Sequence, residues 1–364
     1  MLRIILVAAA RPNFMKIAPI LRALKRYPHL FEPFLVHTDQ HYDWEMSAVF
    51  FHELGLPEPD RHLGVGSGTQ AVQTGRAMIA FEEVLLDRTP DCVLVVGDVN
   101  STLACALCAA KLRIPVAHVE AGLRSFDRSM PEEINRVVTD SISDLLFTTS
   151  PEADANLRRE GVDPRRIHRV GNVMIDSLRQ ALNPADRSPV LSRLGLKPRG
   201  YALVTLHRPS NVDRPETLAN ILSALQEIQS HIPVVFPIHP RTRKALQDHD
   251  LGQQVAALPD MILTDPTGYL DFVKLQKEAR LVITDSGGIQ EETTALGTPC
   301  LTVRENTERP ETVSLGTNTL VGTRPEAIVR EVMSILKGVY KKGRVPDLWD
   351  GHAAERIVET LKTV

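Results

Sequence analysis

"DCVLVVGDVNSTLACALCAAKLRIPVAHVEAG", residues 91–122, decides the fold. An apolar run over 92–96 ends in Gly97-Asp98, a helix-period stretch starts near Ser101, and a second apolar run over 116–119 ends in Glu120. Strand, helix and strand within about 30 residues is the βαβ unit of a parallel sheet with both faces covered.

Outward from this unit the pattern repeats. Apolar runs at 4–8, 34–37 and 145–147 join it in the first half of the chain. "NPADRSPVLSRLGLKPRG", 183–200, breaks the rhythm with Pro, Arg and Gly, and strands resume at 201–205, 233–236, 261–263, 281–284 and 300–303. A length of 364 residues also exceeds what one core usually supports. The fold class read from this is α/β: two Rossmann-like, doubly wound parallel-sheet domains facing across a cleft. The first covers 1–175, the second 176–345, and a C-terminal helix lies within 346–364, free to pack back on the first domain. Ligands of such sheets sit beyond the carboxyl ends of the strands, so residues just after strands are the ones to inspect.

Composition excludes several function classes. A net charge of −3 gives no footprint for nucleic acid or an anionic membrane. No run reaches the ~18 apolar residues of a membrane span. "MLRIILVAAARP" lacks the charged leader of a signal peptide and reads as a first strand. Four cysteines in this length point to reduced, cytoplasmic thiols. Cys105 and Cys108 form a C-x-x-C in an apolar helix without further ligands, and read as packing because structural zinc wants four. "GVGSG", 64–68, has no strand before it and reads as a loop; "DHD", 248–250, reads as a solvated charge cluster.

Five strand ends carry polar groups: "ARPNFMKIAP", "GDVNST", "HVEAG", "LHRPSNVD" and "TDSGGIQEE". Ser286-Gly287-Gly288 opens a helix directly off a strand, which suits a phosphate cradle, or a plain Gly turn with a Ser cap. Asp98 reads equally as a helix cap or a catalytic carboxylate. Glu120, between a buried strand and Ala121-Gly122, needs a partner, because an unpaired buried charge is costly. Glu132 and Glu133 follow Pro131 and suit a first helical turn. His118 and His207 read most simply as satisfied strand-end histidines.

In order along the chain, "ARPNFMKIAP", "DQHYD", "VVGDVNSTLA", "HVEAGLRS", "PEEINR", "GNVMIDSL", "VTLHRPSNVD", "TDSGGIQEE" and "ENTERPE...GTN" resemble the bacterial, non-hydrolysing UDP-N-acetylglucosamine 2-epimerase family. That family has the two-domain fold of glycogen-phosphorylase-like glycosyltransferases. The resemblance implies an isomerase whose partners are UDP-N-acetylglucosamine and UDP, acting as a homodimer without metal or cofactor. It makes Asp98, Glu120 and Glu132 the catalytic carboxylates and sets His207 near the pyrophosphate. Arg11, Lys16, Ser286, Gly287, Gly288 and Arg309 would hold phosphates or position the substrate, with Phe272 at the uracil and Glu292 at the ribose. The implied chemistry is elimination of UDP to 2-acetamidoglucal and its re-addition. Asn13 stands where many relatives carry an acid. Gln40-His41 matches a pair kept by relatives that a second UDP-sugar activates, while an Arg of those relatives is Thr69 here.

Overall fold

A computed structural model describes residues 1–9, 11–39, 51–252, 255 and 258–363, with the backbone alone for residues 11 and 12. The motif at 39–43 therefore lies mostly outside the described residues. The chain divides into two compact units, Met1–Arg179 with Asp347–Val364, and Gln180–Pro346.

The first unit holds strands β1 (Leu2–Ala8), β2 (Phe31–His37), β3 (Arg61–His62), β4 (Cys92–Val96), β5 (Val116–Ala121), β6 (Leu145–Thr148) and β7 (Ile167–Arg169). They form one parallel sheet in the order β3-β2-β1-β4-β5-β6-β7. The second unit holds β8 (Ala202–Thr205), β9 (Val234–Pro237), β10 (Met261–Thr264), β11 (Leu281–Thr284), β12 (Cys300–Thr302) and β13 (Asn318–Leu320), parallel in the order β10-β9-β8-β11-β12-β13. Each sheet thus contains the Rossmann order 3-2-1-4-5-6.

The apolar runs are continuous because both faces of each strand are covered. In the second unit Ala202, Val204 and Ile283 pack on one face with Leu218, Leu222 and Val332. Their neighbours Leu203 and Val282 pack on the other with Tyr201 and Leu275. In the first unit Ile5, Val93 and Val95 meet Cys105, Ala106 and Ala109 of the helix Asn100–Lys111. All four cysteines are free and buried, and Cys105 and Cys108 of the C-x-x-C pack in the core.

The strands missing from the sequence reading are β3, β7 and β13, of two, three and three residues. Each lies at a sheet edge, where short and charged segments such as Arg61-His62 are tolerated and no apolar run is demanded. Residues 64–68 are loop, and Asp248 and Asp250 are exposed. The C-terminal helix Ala353–Leu361 buries Ile357, Val358 and Leu361. Asp176 caps it, accepting from Ala353 N–H at 3.1 Å and Ala354 N–H at 2.7 Å, and Trp349 Nε1 donates to Thr149 O at 3.1 Å. Among the described residues no helix is long and apolar enough to cross a membrane.

Candidate active site

In the first unit the strand order reverses between β1 and β4, and polar side chains gather at the carboxyl ends there. Asn13 and Lys16 come from the first turns of the helix Arg11–Leu24. Asn13 Oδ1 accepts from Ala9 N–H and its Nδ2 donates to Val96 O, both at 3.2 Å, tying the two strand exits together. Gly97 follows β4 at φ +68°, and a Cβ there would lie 2.7 Å from Lys16 Nζ. Only glycine gives both the turn and the close approach. Lys16 then forms an ion pair with Glu120, with side chains 7% and 6% exposed.

Glu120 has φ +75° and is the extra residue in a register shift between Val119 and Ala121. A bulge re-aims one side chain out of a strand, and a non-glycine residue at positive φ costs about 1–3 kcal/mol. Local strain is therefore concentrated on the carboxylate that the sequence singled out.

The helix Pro131–Ile142 supplies the other groups. Glu132 and Glu133 occupy its first turn, but Glu133 makes the buried contacts. Glu133 accepts from Ser125 N–H and Phe126 N–H at 2.9 Å each and from Arg136 Nε at 3.0 Å. Burial pushes its carboxyl up, yet the Ser125 N–H, Arg136 and the Phe126 N–H outweigh that and hold it below the ordinary range. Arg136, nearly fully buried, forks from Glu133 to Asp98, and Asn135 Nδ2 donates to Asp98 O at 2.9 Å. Asp98 does not cap the following helix, whose cap residue is Val99. Its side chain is 27% exposed and faces Arg136.

In the second unit the equivalent reversal lies between β8 and β11. Asp285, fully buried after β11, accepts from His207 N–H at 3.0 Å, Arg208 N–H at 2.9 Å and Asn211 Nδ2 at 3.3 Å, and pairs with His207 Nδ1 at 2.8 Å. Burial raises its pKa, but His207 and these N–H groups bring it to about 2. The helix Gly287–Leu296 starts two residues on, with Ser286 as its cap residue making no side-chain cap bond. A Cβ on Gly287 would lie 2.8 Å from Arg309 Nη1 and 2.9 Å from Glu308 Oε1, so the helix end is pressed against a guanidinium. Arg309 pairs with Glu308 at 2.8 Å and with Glu291 at 2.9 Å; Glu308 is also paired with Arg304 at 2.8 Å and with Arg208 at 3.2 Å. Burial raises the Glu308 carboxyl, and the three arginines overcome this to hold it well below the carboxylate range. Helix N–H groups beside fixed guanidinium groups are chemically suited to meeting an anion.

The model for UDP-N-acetylglucosamine 2-epimerases matches residues 22–362. The chain belongs to the UDP-N-acetylglucosamine 2-epimerase family. It is similar to the crystal structure of Methanocaldococcus jannaschii UDP-GlcNAc 2-epimerase in complex with UDP-GlcNAc and UDP, at 44% identity and TM-score 0.94, covering 100% of each chain. It is also 43% identical, over 99% of both chains, to a UDP-2,3-diacetamido-2,3-dideoxy-D-glucuronate 2-epimerase of Pseudomonas aeruginosa. A sucrose-phosphate synthase of Thermosynechococcus elongatus shares the fold alone, at 14% identity and TM-score 0.61, covering 100% of this chain and 97% of that one.

For this family member the structure gathers Lys16, Asp98 and Glu120 in the first unit, with Glu132 half-buried on the neighbouring helix. It gathers His207, Ser286, Gly287 and Arg309 in the second, with Gly288 next in the helix. The Arg11 side chain lies outside the described residues. Glu292 is buried, accepting from Tyr269 OH at 3.1 Å and Gln276 Nε2 at 2.6 Å. The Phe272 side chain packs in the core cluster with Tyr201 and Leu203. The sequence reading did not single out Asp285, Glu308, Arg208, Arg136 or Asp140, though all but Asp140 stand inside the quoted motifs. Their importance is their burial, which residue type alone does not disclose.

One group of described residues, His37, Asp39 and His62, brings potential metal-ligand atoms within 4.8 Å of one another. Both imidazole Nδ1 atoms face the same Asp39 oxygen, at 2.5 and 2.9 Å. A tetrahedral ion with bonds near 2.1 Å needs its ligands ~3.4 Å apart, so this is a hydrogen-bonded trio as it stands.

Proposed function

We propose that the chain interconverts UDP-N-acetylglucosamine and UDP-N-acetylmannosamine by inversion at C2, without hydrolysis. The observation that carries the reading is the family match over nearly the whole chain. The second unit would grip UDP through the Gly287 helix end and Arg309, and the first would supply Asp98, Glu120 and Glu132.

The C2 hydrogen of this sugar is not acidic. Inversion without a redox carrier therefore starts by breaking the C1 bond to the UDP oxygen, which develops oxocarbenium character. Loss of the C2 proton to a carboxylate leaves 2-acetamidoglucal and UDP; protonation from the opposite face and return of UDP complete the inversion. Positioned carboxylates stabilise the cation and move the protons, while the guanidinium and helix end stabilise departing UDP. His207, held by Asp285, would serve the pyrophosphate.

Turnover in deuterated water should place deuterium at C2 of the recovered UDP-sugars. A hydrolysing enzyme would accumulate UDP and N-acetylmannosamine, and a glycosyltransferase would leave C2 unexchanged; either result would overturn the reading. A second reading, favoured by the Pseudomonas relative, is a UDP-2,3-diacetamido uronate as substrate. Comparing kcat/KM for the two sugars decides between them. The same proposal includes a cytoplasmic homodimer: the four buried free thiols suit a reducing compartment, and sedimentation checks the dimer.

A further inference from the structure

His118 is fully buried on β5, two residues before Glu120. Its Nδ1 lies 2.6 Å from Asp140 Oδ1 and its Nε2 lies 2.8 Å from Gly97 O. Asp140, also buried, accepts with its other oxygen from Gly122 N–H at 3.0 Å and from Arg124 at 2.7 Å. Arg124 is itself fixed by a fork onto Glu160, Nε at 2.8 Å and Nη2 at 2.6 Å.

Sinking a histidine, an aspartate and an arginine together is expensive, and apolar side chains of similar volume would hold a sheet as well. What apolar side chains cannot do is bond to the backbone. Here the bonded backbone groups are Gly97 C=O, in the peptide leading into Asp98, and Gly122 N–H, two residues beyond Glu120. Gly97 N–H also donates to Val119 O at 3.1 Å. The strained Glu120 is thus clamped from both sides, and the Gly97-Asp98 peptide is tied to the same strand.

We infer that His118 and Asp140 are positioning residues, which hold the backbone of Glu120 and Asp98 in the geometry that C2 proton transfer requires. The inference rests on the epimerase reading. Misplacing a reacting group by about 1 Å costs ~10²-fold in rate, so the effect falls on kcat, while UDP, gripped by the second unit, binds as before.

The amide of asparagine overlays Nδ1 of histidine and that of glutamine overlays Nε2. His118→Asn therefore keeps the bond to Asp140 and loses the Gly97 carbonyl, whereas His118→Gln keeps a donor for the carbonyl. His118→Asn should lower kcat ~10²-fold with KM and the calorimetric UDP affinity within ~3-fold of the parent, and His118→Gln should recover ~10-fold of that loss. Rates are taken per UDP-binding site, so unfolded protein does not count. Should His118→Asn not fold, Asp140→Ala, which has no acceptor for Gly122 N–H, is held to the same kcat criterion. The inference is overturned if kcat per site stays within ~3-fold of the parent, or if His118→Asn and His118→Gln are equally active. Absence of C2 deuterium uptake by the parent would instead remove the epimerase reading, so the two failures are distinguishable.

Discussion

Replacing Asp285 by asparagine keeps the shape of a fully buried side chain and changes what its atoms can accept. Every atom facing it is a donor or the Nδ1 of His207: His207 N–H, Arg208 N–H and Asn211 Nδ2 surround one oxygen, and His207 Nδ1 faces the other at 2.8 Å. An asparagine satisfies the first three only by placing its carbonyl there, which turns its NH2 towards His207 Nδ1. Histidine must then accept at Nδ1 and carry its proton at Nε2, the reverse of the arrangement a carboxylate imposes. The stability cost follows from the same contacts. A folded pKa of about 2 against an ordinary 3.8 corresponds to ~2 kcal/mol in favour of the ionised form, which the neutral amide forfeits. Because the folded pKa is depressed, this stability is present above pH ~4 and is lost as pH falls towards 2. Asp285→Asn should thus remain folded at neutral pH, lower the denaturation free energy by ~2 kcal/mol, and cut kcat by ~10²-fold or more if His207 handles a proton. Nitrogen-15 spectra of the imidazole report the tautomer directly. An unchanged tautomer with unchanged kcat would refute the assignment of Asp285 as the group that orients His207.

Arg309→Ala removes the guanidinium against the Gly287 helix end and should weaken UDP binding by ~1.5–3 kcal/mol in calorimetry, the range for a charge-assisted contact. Unchanged affinity would take Arg309 out of the grip. Asp176 works in the opposite direction from Asp285: burial outweighs the two N–H groups it caps and raises its pKa to about 6. Its folded pKa lies above the ordinary value, so its contribution is fully present below pH ~4 and is lost as pH rises through 6. Between pH 4 and 7 the stability difference should therefore shift in favour of Asp176→Asn over the parent by up to ~2–3 kcal/mol, and a pH-independent difference in melting temperature would contradict this.

The sequence by itself determined the α/β class and the positions of the long strands, because a strand covered on both faces must be apolar throughout, as in 92–96 and 281–284. It also located the strand-end motifs, since a ligand site on such sheets can stand only beyond the carboxyl ends. Gly287 was legible as a place of close backbone approach and Gly97 was not; in the structure Arg309 lies against the first and Lys16 against the second. The edge strands β3, β7 and β13 were illegible because their pairing is held by backbone bonds to a neighbour distant in sequence. The partners of the charges were equally hidden. Lys16 finds Glu120, Arg136 finds Asp98, and Asp285 finds His207 across large separations along the chain. A carboxylate's partner and its burial are properties of the folded surroundings. Only the tertiary structure, by taking these groups out of water and bringing counter-charges within reach of them, decided which carboxylates are strained and which are locked.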